Sequence, residues 1–206
     1  DGTVKLGDFG FVTDELQFGF APPYGTAIYW APEVLAEKAC SELSDVFSLG
    51  VTFANLVSGD HWFFRQGKGC MLMMGDDGEP CLSPKMLFLP HVPLSWRNVA
   101  NKLCRSSVSG RCQSLSAAVN LIAKLPAVEP WTCTVGEDMI TWELLKGRRH
   151  VRVEWQNYLG RPNERWAAWT ENPDGSARRS LSASAPGDNW KPIYSALQNF
   201  FSARSV

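Results

Sequence analysis

The chain has 206 residues, 45% of them hydrophobic and 20% charged, which is the composition of a folded globular protein and excludes a disordered one. Its 20 basic and 21 acidic residues nearly cancel, leaving a formal net charge of −1. No basic excess draws it to nucleic acid or to an anionic membrane surface, so neither partner is expected.

In chain order, Thr3–Leu6 is a short strand candidate. Ser44 is the expected N-cap of a buried helix that runs to about Ser58 and is closed by Gly59. Residues 60–92 read as irregular, with a turn at Gly75-Asp76-Asp77-Gly78. Trp96, Val99, Ala100, Leu103 and Cys104 share one helix face, and Leu115, Ala118, Val119 and Ile122 repeat the pattern. The prolines of Leu125-Pro126-Ala127-Val128-Glu129-Pro130-Trp131 then mark a linker.

Beyond the linker the hydrophobic period changes. Ile140, Trp142 and Leu144 alternate with polar neighbours, as do Val151, Val153 and Trp155, and Lys146-Gly147 can turn the chain between these two strands. Asn172-Pro173-Asp174-Gly175 predicts a hairpin joining Arg165–Glu171 to Ala177–Ala183. Trp190, Ile193, Tyr194, Leu197, Phe200 and Phe201 form the stripe of a final amphipathic helix, with Asp188 near its cap. Six of the nine tryptophans lie in this shorter part. The expectation is an α+β chain of two domains: a mainly helical one over residues 1–126, and over 127–206 a small antiparallel sheet with one helix.

Four motifs carry the chemistry. Asp1-Gly2-Thr3-Val4-Lys5-Leu6-Gly7-Asp8-Phe9-Gly10 puts an apolar strand before Asp-Phe-Gly. Gly25-Thr26-Ala27-Ile28-Tyr29-Trp30-Ala31-Pro32-Glu33 follows, then Ser44-Asp45-Val46-Phe47-Ser48-Leu49-Gly50-Val51, and Arg111 stands between two amphipathic helices. In this order and at these separations the motifs resemble the eukaryotic-type Ser/Thr protein kinase family, over roughly residues 1–126. The resemblance covers an incomplete C-lobe, without an N-lobe. This chain contains no Gly-rich phosphate loop, strand lysine or H-R-D-x-x-x-x-N catalytic loop. With Asp1 in place of an initiator methionine, the expectation is a piece of a longer kinase, inactive by itself.

The resemblance implies roles. Asp8 would hold Mg2+ against the phosphates of ATP, because a hard cation takes oxygen ligands. Phe9 would pack inward and set the orientation of Asp8, and Gly10 would allow the backbone to swing. Gly25 and Thr26 would receive the residue after the phosphoacceptor, and the Thr26 hydroxyl would bond the catalytic aspartate and favour Ser or Thr acceptors. Glu33 and Arg111 would form a buried structural ion pair, and Asp45 would anchor the catalytic loop. Pro22 stands where many kinases carry a phosphorylated threonine, so activation is expected not to use position 22; Thr13, Tyr24 and Thr26 are the nearby hydroxyls. The implied partners are ATP and a protein substrate. A pseudokinase scaffold and a free binding module are the alternatives.

Other features carry less. His61, His91 and His150 are dispersed, with no metal or catalytic-triad spacing, and Cys40, Cys70, Cys81, Cys104, Cys112 and Cys133 contain no C-x-x-C pair. Reduced thiols in the cytoplasm are expected, and Val46–Val57 is too short and polar to span a bilayer. Met71, Leu72, Met73, Met74, Met86, Leu87 and Phe88 are either local core or an adaptable docking surface. The tryptophans are either sheet core or a stacking surface for bases, glycans or peptides. Arg148, Arg149 and Arg152 could mark an anionic ligand face, diluted by Glu143 and Glu154. Arg178-Arg179-Ser180-Leu181-Ser182 resembles a site for a basic-directed kinase, with Arg179 three residues before Ser182.

Overall fold

A computed structural model describes residues 20–65, 73–74, 80–81 and 87–204. They divide between two compact units, one of residues 1–87 with 94–125 and one of residues 88–93 with 126–206. The expected strand at Thr3–Leu6 lies outside the described residues. Six helices and a five-stranded antiparallel sheet make the described chain α+β.

In the first unit, a backbone bridge between Ala21 and Cys40 closes the segment that precedes the main helix, with bonds of 2.7 and 2.9 Å. Inside this segment lie a 3-10 turn at Ala27–Tyr29 and helix α1, Pro32–Glu37. Proline suits the first turn of α1, where no amide donor is needed. Lys38, at φ 56°, ends it in the left-handed conformation.

Helix α2, Glu42–Ser58, is the axis of this unit. Its N-cap is Ser41, not Ser44 as the sequence suggested. Ser41 is extended and its side chain accepts from the Ser44 amide, while the Ser44 hydroxyl reaches back to the Ser41 amide at 2.8 Å. This reciprocal box serves two otherwise orphaned donors and is worth about 1 kcal/mol. Gly59 closes the helix at φ 75°. Val46, Phe47, Val51 and Ala54 are fully buried along α2.

The described residues of the 60–92 range are more regular than expected. Asp60–Arg65 forms helix α3, which puts Trp62 and Phe63 in the core. Strands β1, Met73–Met74, and β2, Pro80–Cys81, pair antiparallel, and the turn expected between them lies outside the described residues. Helix α4, Leu94–Leu103, buries Ala100 and Leu103, and Cys104 follows its end. Helix α5, Leu115–Ala123, is capped by Ser114. Its inward stripe is Leu115, Ala118, Leu121 and Ile122, packed with Val46, Leu103 and Cys112. Val119, expected on that stripe, is 54% exposed.

The second unit is the sheet β3-β4-β5-β6-β7: Thr132–Val135, Met139–Lys146, Arg149–Gln156, Arg165–Glu171 and Arg179–Ala183. Strand β3 was not anticipated from the sequence. Gly147, at φ 65°, occupies the first position of the two-residue turn between β4 and β5, where a hairpin favours glycine. Gly175 donates to the Asn172 carbonyl at 2.9 Å in the β6–β7 turn, and β7 starts two residues later than expected.

Cross-strand rows Ile140–Trp155–Trp166 and Trp142–Val153–Ala168 are buried, so six large or small apolar side chains build one core face. Helix α6, Trp190–Ser202, adds Ile193, Tyr194, Leu197, Phe200 and Phe201 to it. Its N-cap is Asn189 rather than Asp188; the Asn189 side chain accepts from the Lys191 amide at 3.1 Å. The segment Phe88–Pro93 belongs to this unit: Tyr194 donates its hydroxyl to the Phe88 carbonyl, and Trp142 Nε1 donates to His91 Nδ1 at 2.9 Å.

Candidate functional site

Ala31-Pro32-Glu33 opens helix α1 and points a carboxylate at the arginine that follows the 3-10 turn Val108–Gly110. The Arg111 guanidinium is bidentate on Glu33, with Nη1–Oε1 at 2.6 Å and Nη2–Oε2 at 3.0 Å. Its remaining donors meet carbonyls of Leu43 at 2.6 Å, Arg105 at 3.0 Å and Ser106 at 3.3 Å. The guanidinium carbon lies 5.0 Å from the Phe47 ring centroid. All five N–H groups of the side chain are therefore used, in a place where Arg111 is 2% exposed. One cation thus ties together α1, the start of α2 and the α4–α5 connection.

Gly25, at φ 94°, leads into Thr26, whose carbonyl accepts from the Tyr29 amide at 3.0 Å. The Thr26 side chain is exposed and makes no capping bond. This turn is pinned to α2, since Ser48 Oγ donates to the Tyr29 carbonyl at 2.7 Å and Asn55 Nδ2 to the Tyr29 hydroxyl at 3.3 Å. Trp30 Nε1 donates to the Tyr24 carbonyl at 3.2 Å.

Asp45 sits at the surface in the first turn of α2, and no hydrogen bond reaches its carboxylate among the described residues. Loss of hydration, then the charge of Glu42, holds its carboxyl above the ordinary range. Partial burial, then the charge of Asp45, likewise raises the Cys40 thiol.

The structure thus brings Glu33 and Arg111 together and leaves Thr26 and Asp45 at the surface. Asp8, Phe9, Gly10 and Thr13 lie outside the described residues. Among the described residues no cluster of three or more His, Cys, Asp or Glu could hold a metal, and no helix is long and apolar enough to cross a membrane.

In the second unit most tryptophans are core. Trp142 and Trp155 are fully buried, and Trp166 is 4% exposed. Two buried carboxylates were not anticipated. Glu164 is fully buried and accepts from Trp155 Nε1 and from the Gly160 amide, both at 2.7 Å. Glu171 accepts from Trp169 Nε1 at 2.7 Å and pairs with Arg152, which also pairs with Glu143. Arg149 is committed to Asn172, Thr170 and the Ala177 carbonyl. Arg149 and Arg152 are therefore internally neutralised or bonded, and an anionic ligand face formed with Arg148 finds no support in their geometry. His91 is a packed side chain between Trp142 and Phe201, and His61 is exposed.

Comparison with known proteins gives the family of the chain. Residues 1–119 match the protein kinase domain family, and the chain belongs to the eukaryotic-type protein kinase family. A probable serine/threonine-protein kinase of Dictyostelium discoideum is 33% identical over 84 residues, 39% of this chain and 17% of the relative. The serine/threonine-protein kinase PAK 1 of Mus musculus is 32% identical over 84 residues, 39% of this chain and 15% of the relative. A dual specificity protein kinase, shkE, of Dictyostelium discoideum is 37% identical over 68 residues, 31% of this chain and 9% of the relative. The chain spans less than a fifth of the length of these relatives. No solved structure matches.

Proposed function

We propose that this chain is the C-lobe portion of a Ser/Thr protein kinase whose parent transfers the γ-phosphate of ATP to protein hydroxyls, with residues 127–206 as an accessory domain that senses a signal or recruits a substrate. The family match over residues 1–119 carries this reading. The bidentate Glu33–Arg111 pair supports it, because that pair fixes the turn bearing Thr26 relative to α2.

In this reading Asp8 holds Mg2+ and the nucleotide phosphates, Phe9 and Gly10 control its orientation, and Thr26 orients the acceptor. Bound Mg2+ and ATP supply charge neutralisation and the transferred group. Glu33, Arg111 and Asp45 are positioning residues. The catalytic base lies in a segment that the 206 residues do not contain, so this chain alone is inactive.

The test is a phosphotransfer assay with Mg2+ and ATP, run on the longer parent and on this chain, with Ser, Thr and Tyr acceptor peptides. The parent should modify Ser and Thr, Asp8→Asn should abolish transfer, and this chain should show none. Tyr modification as well would align it with its dual specificity relative. Nucleotide binding by the parent without transfer to any acceptor would overturn the kinase reading in favour of a scaffold.

A further inference from the structure

We propose that Ser180, on the edge strand β7, is a phosphorylation site, and that Arg178 holds the phosphate once it is there. The inference concerns the second unit and does not depend on the proposed activity of the first.

The basic pattern Arg178-Arg179-Ser180-Leu181-Ser182 offers two hydroxyls, and the sequence alone favoured Ser182. The pairing register separates them. Ser182 pairs with Ala168, whose side chain is buried on the helix-covered face, and Ser182 is itself half-buried. Ser180 pairs with Trp169, on the opposite face, and is exposed. Its hydroxyl has no hydrogen-bond partner among the described residues. The register shift beside Ala168 and Trp169 leaves Leu181 as the extra residue between the two serines, so the ladder is interrupted next to the acceptor.

An acceptor must leave its own fold far enough to enter a kinase cleft. Strand β7 meets that need. It has five residues, lies at the sheet edge and, among the described residues, is bonded on one side only. Short edge elements open locally at low cost, and this one is already extended.

The neighbouring charge completes the site. The Arg178 guanidinium carbon lies 3.7 Å from the centroid of the Trp169 ring, the residue directly across from Ser180. A cation therefore already waits on the acceptor's own face. Glu171, on the same face, has its two oxygens engaged by Trp169 and Arg152. A phosphoserine brings a charge of about −1.5 to −2 and three acceptor oxygens, which a guanidinium meets with charge-assisted bonds. In the transfer, Ser180 Oγ bonds to the γ-phosphorus of ATP, and the bond from that phosphorus to the β–γ bridging oxygen breaks. ADP leaves, and the hydroxyl proton passes to the base of the acting kinase.

The experiment uses the full 206-residue chain with Mg2+ and ATP, with and without an added basic-directed Ser/Thr kinase, and locates phosphate by tandem mass spectrometry. With the added kinase, Ser180 is modified in the wild type and in Ser182→Ala. The signal is lost in Ser180→Ala and retained as phosphothreonine in Ser180→Thr. Phosphate on Ser182 alone, or on neither serine, overturns the assignment. Modification of Ser180 without added kinase supports the site and overturns the inactivity proposed for this chain. The phosphorylated chain should melt about 2–4 °C above the unmodified one, and Arg178→Ala should remove that gain. An equal gain in Arg178→Ala overturns the role of Arg178.

Discussion

Arg111 and Glu33 meet as two parallel N–H···O bonds across 78 residues of sequence, and Arg111 leaves none of its donors unused. Such a group is costly to bury and more costly to leave half-paired. Glu33→Gln, which keeps the shape and removes the charge, should destabilise the first unit by roughly 3–5 kcal/mol. Arg111→Lys should not rescue stability, because an ammonium has three donors and cannot span the carboxylate and three carbonyls. Urea unfolding of the two variants checks this. A loss below about 1 kcal/mol in Glu33→Gln would mean that the pair is solvated like a surface salt bridge.

Gly50 is where α2 meets the end of α4. A Cβ there would stand 2.6 Å from Leu103 Cβ, 2.7 Å from Cys104 Sγ and 3.1 Å from the Leu103 carbonyl carbon. The first and third of these atoms cannot swing away. Gly50→Ala should therefore cost about 1–3 kcal/mol by overpacking, even though alanine gains up to about 1 kcal/mol in helix propensity. Thermal melting decides it: a raised midpoint would show that the two helices slide apart freely.

What the sequence disclosed, and what it hid, follows from the range of each interaction. Helix α2 was visible because its apolar period runs unbroken to Gly59, and the β6–β7 turn because Asn172-Pro173-Asp174-Gly175 is local chemistry. Helix α6 was visible because its stripe is six residues deep. The start of α2 was misplaced by three residues, since Ser41 and Ser44 are both competent caps and only their reciprocal bonds choose between them. Helix α3 is six residues long and β3 four, too short for a periodic signal. The Glu33–Arg111 contact could be anticipated only through the motif resemblance, because no local rule links residues so far apart. Glu164 and Glu171 were missed because glutamate is ordinarily a surface residue; a nearby tryptophan N–H on a strand was the signal available.

Glu171 should make the second unit sensitive to acid. The Trp169 indole N–H, and then the charge of Arg152, hold its carboxyl below the usual glutamate range, against the opposing cost of burial. A depressed folded pKa means that the unfolded chain binds the proton first as pH falls. The stabilisation is complete above the unfolded value of about 4.3 and is lost as pH drops through the lowered folded value. Trp169→Phe removes the main donor and brings the folded value back toward the unfolded one, so its acid loss should be smaller and end at higher pH, and Glu171→Gln should flatten the dependence. Urea midpoints between pH 7 and pH 3 measure it. Identical slopes in all three proteins would place the acid sensitivity elsewhere.

Cys133 tests the opposite end of the scale. It lies on β3 across from the buried Trp142, and burial pushes its thiol up to about 12. The thiolate is the reactive form, so native Cys133 should resist alkylation at neutral pH and react only when the strand unfolds. The same shift carries a stability consequence. Between the unfolded thiol value of about 8.5 and the folded value, the unfolded chain has released its proton while the folded chain keeps it. Unfolding then gains from each further rise in pH, so stability should decline across that alkaline window. Cys133→Ala should lose this part of the decline. Mass spectrometry of pulse-alkylated native protein, with denaturant melts at pH 8 and pH 10, measures both effects. Rapid native labelling at Cys133 would show that β3 detaches from β4 far more often than its four paired residues imply.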